Sequence, residues 1–383
     1  MNYLIQLTAP RARTSMTFMR LLTFAMLGLL SCSTSFAKPH ESIAVHSAQV
    51  DVEYSSGEQE NRVAAALAAQ DKCKQATAEL SGYCELVRMD SIEITTGARL
   101  KSDNTRRPLF LWRYQSGTST VYLAGSLHLL KQSIYPLPAQ YEQAFELSDK
   151  LVLEVNTKAL STSEIYAKTQ AAARLTEQRY LRESFNAEDY SRLANVASLY
   201  GIPLQSLQFY KPAMAYTQLS LMGFVALGYD PDLGVEAYFT QRKSSQNILQ
   251  LETLDLQLAY LFDQSKATQI AVLMDTVNQF AEIESAASDL VRAWASGDDI
   301  TLAKLIADQY AHSELLQQFS EQLLDKRNAA MSEKIVGYLN SNESYFVIVG
   351  AAHLAGEHSI INLLKGKGIN GQRIYSNDVD LQI

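Results

Sequence analysis

Two apolar runs that end in the same four-residue pattern stand at opposite ends of the chain and dictate how it closes on itself. Val121-Tyr122-Leu123-Ala124 leads into Gly125-Ser126-Leu127-His128, and Tyr345-Phe346-Val347-Ile348-Val349 leads into Gly350-Ala351-Ala352-His353. Each run has the length and continuous apolar content of a strand buried on both faces. With 17 Gly and 6 His in 383 residues, chance supplies only about 0.3 Gly-x-x-His matches. A glycine at a strand end lets the backbone turn sharply. Three residues on, an imidazole can point back over the sheet edge. Ligands of parallel α/β sheets bind there, beyond the carboxyl ends of the strands. On neighbouring strands, two imidazoles 225 positions apart would meet.

The intervening sequence fits that closure. Leu109 to Trp112 and Val121 to Gly125 flank the turn Gln115-Ser116-Gly117 and read as a β-hairpin. Residues 138–149 read as a helix and Leu151-Val152-Leu153-Glu154-Val155 as a buried strand, the pattern of a βαβ crossover. Residues 162–224 and 255–325 read as helices, the second stretch broken at Ser296-Gly297-Asp298, with a short strand at 247–251 between them. A last helix spans 359–366. The expected fold is α/β with α+β-like character: a central mixed or parallel sheet formed from both ends of the domain, with a large helical insert. This domain is assigned to residues 108–383. Before it, 38–107 reads as a polar tether to about residue 60, a small helical subdomain over 61–87, and a polar connector.

Residues 1–37 have the build of a secretory signal. Arg11, Arg13 and Arg20 precede the apolar run Leu21 to Leu30, which is short of the ~20 residues a bilayer span needs. Leu29-Leu30-Ser31-Cys32 resembles a lipobox, making Cys32 a lipid-attachment site and the membrane a partner. Ser35-Phe36-Ala37 offers ordinary signal cleavage instead. The expected location is the periplasm, or the envelope membrane of a bacterium through that anchor. In such an oxidising compartment Cys73 and Cys84 are expected to pair. A net charge of −8 argues against nucleic acid, since no basic face is available to neutralise phosphates.

Glu154 adds a carboxylate near the end of the strand expected beside that of His128. It could bind metal or activate water. Arg327, next to Asn328, stands on a charged helix before the last strand; reaching a site, it would hold a carboxylate or stabilise an oxyanion. His40 and His46 read as solvated tether residues, and His312 and His358 as surface or capping groups. No Gly-x-Ser-x-Gly elbow points to a serine hydrolase, and Gly366-Lys367-Gly368 lacks phosphate-loop spacing.

Taken in order, several stretches resemble the TraB/GumN family, which includes the Tiki proteins. They are Phe110-Leu111-Trp112, Val121 to His128, Tyr135-Pro136-Leu137-Pro138, Leu153-Glu154-Val155, Leu251-Glu252-Thr253, Arg327-Asn328 with Met331, and Val349 to His353. The resemblance covers about residues 109–378. It implies a metal-dependent hydrolase, with peptidase activity in the Tiki branch. Its site would be His128, Glu154 and His353 as metal ligands with Glu154 and Arg327 catalytic. Glu236 and Glu252 match weaker acidic positions, as ligand or supporting residues. The implied cofactor is a divalent metal, for which manganese, cobalt, zinc and iron all suit imidazole and carboxylate. The implied partner is a peptide or other amide or ester substrate. The alternative is a non-catalytic envelope lipoprotein that binds a peptide or partner protein.

Overall fold

The two Gly-x-x-His strands lie side by side in the computed structural model, which describes residues 39–94, 106–176, 180–379 and 381. Residues 1–37, expected to be a signal, and Cys32 among them lie outside the described residues.

The first sheet is built by β1 (Ser42–His46), β2 (Gln49–Ser55), β3 (Cys84–Met89) and β4 (Ile92–Glu93), antiparallel in the order β2-β1-β3-β4. Helix α1 (Arg62–Ala76) packs against β1, β2 and β3. This corrects the tether reading of residues 38 to about 60. The polar stretch is an exposed edge strand, β2, beside a short buried central one, β1, and edge strands carry polar residues that discourage further pairing. It also corrects two histidines: His40 and His46 are buried, and His40 Nδ1 lies 3.1 Å from Asp90. Only the first half of 61–87 is helical. Cys73 on α1 and Cys84 on β3 form the expected disulfide. Replacing both cysteines with serine should lower stability by about 2–4 kcal/mol, read as a drop in the denaturation midpoint that reductant reproduces in the wild-type chain.

The second sheet carries the site. Its strands are β5 (Pro108–Ser116), β6 (Ser119–Ser126), β7 (Lys150–Leu153), β8 (Ile248–Gln250), β9 (Ser344–Gly350) and β10 (Gln372–Tyr375), in the order β10-β5-β6-β9-β7-β8. β6, β9, β7 and β8 run parallel, and the β5 and β10 side is antiparallel. The mixed sheet drawn from both ends of the domain is thus present. Two points differ from the sequence reading. β9 lies between β6 and β7, so the strand of Glu154 borders that of His353 rather than that of His128. β10 had no clear signal in its short, polar sequence.

Helix α2 (Ala139–Glu146) packs on β6 and β9. The insert between β7 and β8 holds α3 (Thr162–Ala173), α4 (Ala187–Leu199), α5 (Pro212–Ala226) and α6 (Val235–Thr240). After β8 come α7 (Leu254–Phe262), α8 (Lys266–Asn278), α9 (Ile283–Ser296), α10 (Asp299–Tyr310), α11 (Glu314–Ser320) and α12 (Lys326–Tyr338); α13 (Ile360–Gly366) follows β9. The break at Ser296-Gly297-Asp298 is real. Gly297 ends α9 at φ 70°, and Asp298 caps α10 through the Thr301 N–H. Among the described residues no helix is long and apolar enough to cross a membrane.

Candidate active site

Register brings the site together. Ser126 pairs with Gly350 and Leu153 with Ile348, so β6 and β9 end level and β7 ends two residues short of them. The β7–β8 ladder continues one step past the strands, where the Glu252 N–H donates to the Glu154 carbonyl. His128, His353, Glu154 and Glu252 therefore leave four adjacent parallel strands on the same edge.

Gly350 is the centre of this group. A Cβ there would lie 3.4 Å from Glu154 Oε1, 3.6 Å from His128 Nε2 and 3.6 Å from His353 Cδ2. The Gly350 N–H donates to Glu154 Oε1 at 2.7 Å, and His353 Nε2 lies 3.6 Å from the same oxygen. The space above it is a cavity of about 280 Å³ lined by His128, Glu154, Glu236, Arg327 and His353 together with several apolar side chains.

Each imidazole is held from behind. The Asn328 amide N–H donates to the His358 carbonyl, which turns its Oδ1 toward His353 Nδ1 at 2.6 Å. Nδ1 then carries the proton, and the Nε2 lone pair faces the cavity. On the other side, His128 Nδ1 lies 2.9 Å from Glu236 Oε1, again leaving Nε2 toward the cavity. Glu236 in turn accepts a hydrogen bond from the buried Ser126 hydroxyl, while its Oε2 is buried with no partner.

Helix α6, which carries Glu236, is docked directly on the His128 loop. The Val235 N–H donates to the Leu127 carbonyl, and Leu130 and Asp230 exchange backbone hydrogen bonds. At Gly234 an added Cβ would stand 2.2 Å from the His128 carbonyl oxygen. Gly234→Ala must push α6 away, and we expect a loss of about 1–3 kcal/mol, measured by chemical denaturation.

Arg327 takes the first of its two expected roles. It is buried, and its guanidinium contacts Glu252 through Nε at 3.0 Å and Nη2 at 2.7 Å, Glu154 through Nη2 at 2.6 Å, and the Leu323 carbonyl through Nη1 at 3.1 Å. Of five N–H donors, one on Nη1 is left. Arg327 is therefore a clamp on two carboxylates. The residues 321–325 before it form a π-helical turn, and the Leu323 carbonyl accepts from Arg327 there. Glu252 is 3 % exposed and sits behind Arg327, outside the cavity lining. Gln257 on α7, which had no sequence signal, donates to Glu154 at 3.1 Å.

The charges follow from these contacts. Burial alone would raise the Glu154 carboxyl, but His353, Arg327, His128 and the Gly350 N–H outweigh it and hold it down, at about 2. His353 is held down to about 4 by its burial and is neutral near pH 7. Arg327 and His128 are then the charges that keep Glu154 ionised. His128 is pushed up to about 9, chiefly by the charge of Glu236. Some 47 % of its side-chain surface opens onto the cavity, so water screens part of that attraction. Among the described residues, no three His, Cys, Asp or Glu side chains are already drawn together as a ligand set.

A metalloprotease TIKI homolog of Amphimedon queenslandica is 32 % identical over 76 residues, which is 19 % of this chain and 15 % of that protein. The chain thus matches less than a fifth of that relative's length. No solved structure matches. The sequence model of the TraB/PrgY/gumN family matches residues 110–373. That match opens in β5 and ends in β10, taking in every strand of the second sheet and every residue of the cavity, and the chain belongs to the TraB/PrgY/gumN family.

Proposed function

We propose that this protein is an exported, metal-dependent hydrolase of peptide bonds or of other amides or esters. The observation that carries the reading is the pair of imidazoles, each held at Nδ1 and each turning Nε2 toward Glu154 above Gly350. Such backing of a histidine by a carboxylate or amide oxygen is what metal-ligating histidines have. The charge count agrees. Glu154, Glu236 and Glu252 against Arg327 leave a formal −2 when both imidazoles are neutral, which a divalent cation balances. The family relative bearing the name metalloprotease adds support.

His128, His353 and Glu154 would hold the ion, and manganese, cobalt, zinc and iron all suit these donors. When bound, the ion polarises a carbonyl and makes a bound water more acidic. Arg327 keeps Glu154 anionic and fixed. Glu154 is held ionised by its charged neighbours, so it or a second acid can hold the ion and take a proton from water. Glu236 and Asn328 orient the two rings, and Ser126 orients Glu236.

His128 Nε2 must give up its proton before it can ligate. Metal affinity should therefore rise about tenfold per pH unit until pH passes about 9, where the proton is lost anyway. Titrating manganese or zinc at several pH values, with proton release followed in parallel, measures this. A flat profile would mean that His128 is not a ligand.

The hydrolase reading is tested with internally quenched peptides and protein reloaded with each metal. Turnover that chelator removes and metal restores supports it; no turnover with any metal overturns it. The alternative is capture of a peptide without turnover, which the absence of a preassembled ligand trio among the described residues favours. The disulfide supports export to an oxidising compartment, and lipidation at Cys32 remains part of the proposal.

A further inference from the structure

The polar groups occupy only part of the cavity wall, and the rest is hydrocarbon. Leu254 and Leu261 line it as buried side chains, and Leu323, Leu324 and Tyr260 as half-buried ones. Thr253 caps α7 by accepting from the Leu256 N–H, which starts that helix directly after Glu252 and aims its leucines beside the clamp. The cavity is about 280 Å³, below the roughly 300–1,000 Å³ of pockets that house whole small molecules. That is room for one large side chain and the amide next to it.

The charges narrow the choice further. Arg327 is the only Lys or Arg among the lining residues, and all but one of its N–H groups are committed to Glu252, Glu154 and Leu323. A carboxylate side chain lodged among these leucines would exchange water for hydrocarbon, with the guanidinium beside it already committed. An apolar group would meet hydrocarbon and leave no polar atom unpaired.

We infer that, given the hydrolase reading above on which this rests, the substrate is a polypeptide carrying a large uncharged side chain beside the scissile amide. Leu323 and Leu324 of the π turn, with the leucines of α7, select that side chain. Water supplies oxygen to the acyl carbon, the C–N bond breaks, and the amine leaves with a proton, so no other reactant is needed.

The test uses the full chain loaded with manganese, cobalt or zinc. Matched internally quenched peptides vary one position among Leu, Phe, Asp and Lys. Binding of the same peptides with a reduced, uncleavable bond is followed by fluorescence anisotropy. Leu and Phe peptides should be cleaved with kcat/KM at least about tenfold above the Asp peptide. Leu324→Lys should shift preference toward the Asp peptide. Should that variant not fold, Leu324→Ala, at a half-buried position, should still shrink the apolar preference several-fold.

Turnover that ignores the variable residue overturns the subsite and leaves the hydrolase standing. No turnover, with Leu peptides still binding about tenfold tighter than Asp peptides and Leu324→Ala weakening them, sinks the hydrolase and keeps the subsite. Neither turnover nor discrimination in binding overturns both.

Discussion

Arg327→Ala should cost about 3–5 kcal/mol of folding stability, because it strands two buried carboxylates. Glu154 and Glu252 are 8 % and 3 % exposed, and the same guanidinium is bonded to both. Removing it leaves each facing the other across a space that water enters poorly, with Gln257 as the remaining side-chain donor to both. Arg327→Lys keeps the charge but loses the planar fork that reaches two carboxylates at once, and should fall between. Arg327→Met combined with Glu252→Gln removes a charge of each sign and should recover much of the loss. Chemical denaturation of the four proteins measures this. A cost for Arg327→Ala below about 1 kcal/mol, in the range of an exposed pair, would show that the clamp is not buried in solution.

His353→Ala should abolish metal-dependent turnover, and Asn328→Ala should weaken metal affinity by about 10–100-fold while leaving the ligands themselves in place. Asn328 is fixed by the His358 carbonyl and presents one acceptor to His353 Nδ1. Without it the ring can rotate or take the other tautomer, which would put a proton on Nε2. Asn328→Asp restores an acceptor and should recover affinity; Asn328→Leu should not. Equal affinity in all three would remove His353 from the ligand set.

Much of this site was legible because its parts are local. A glycine three residues before a histidine at the end of an apolar run is a short pattern, and both copies led to adjacent strands. Glu154 stood out as a carboxylate at the end of an otherwise apolar run. What could not be read was pairing across long separations. Arg327 meets Glu252 and Glu154 over 75 and 173 residues, and nothing in a charged helix tells whether it faces solvent or two buried acids. Gln257 and Ser126 act through side chains whose types are common everywhere. The N-terminal sheet was missed for another reason: β2 is an exposed edge strand, and its polar sequence is that of a tether. Whether β9 would insert between β6 and β7 was likewise invisible, since any order of these apolar strands satisfies the same pattern.

The central claim is that the two Gly-x-x-His histidines hold a metal ion. Its most direct test is the metal content of the mature protein, purified without histidine tags or chelators, beside the His128→Ala, His353→Ala double variant. Near-stoichiometric divalent metal is expected in the wild-type chain and none in a variant that retains its circular dichroism spectrum. Metal absent from both proteins, even after reloading with manganese, cobalt, zinc and iron, would contradict it.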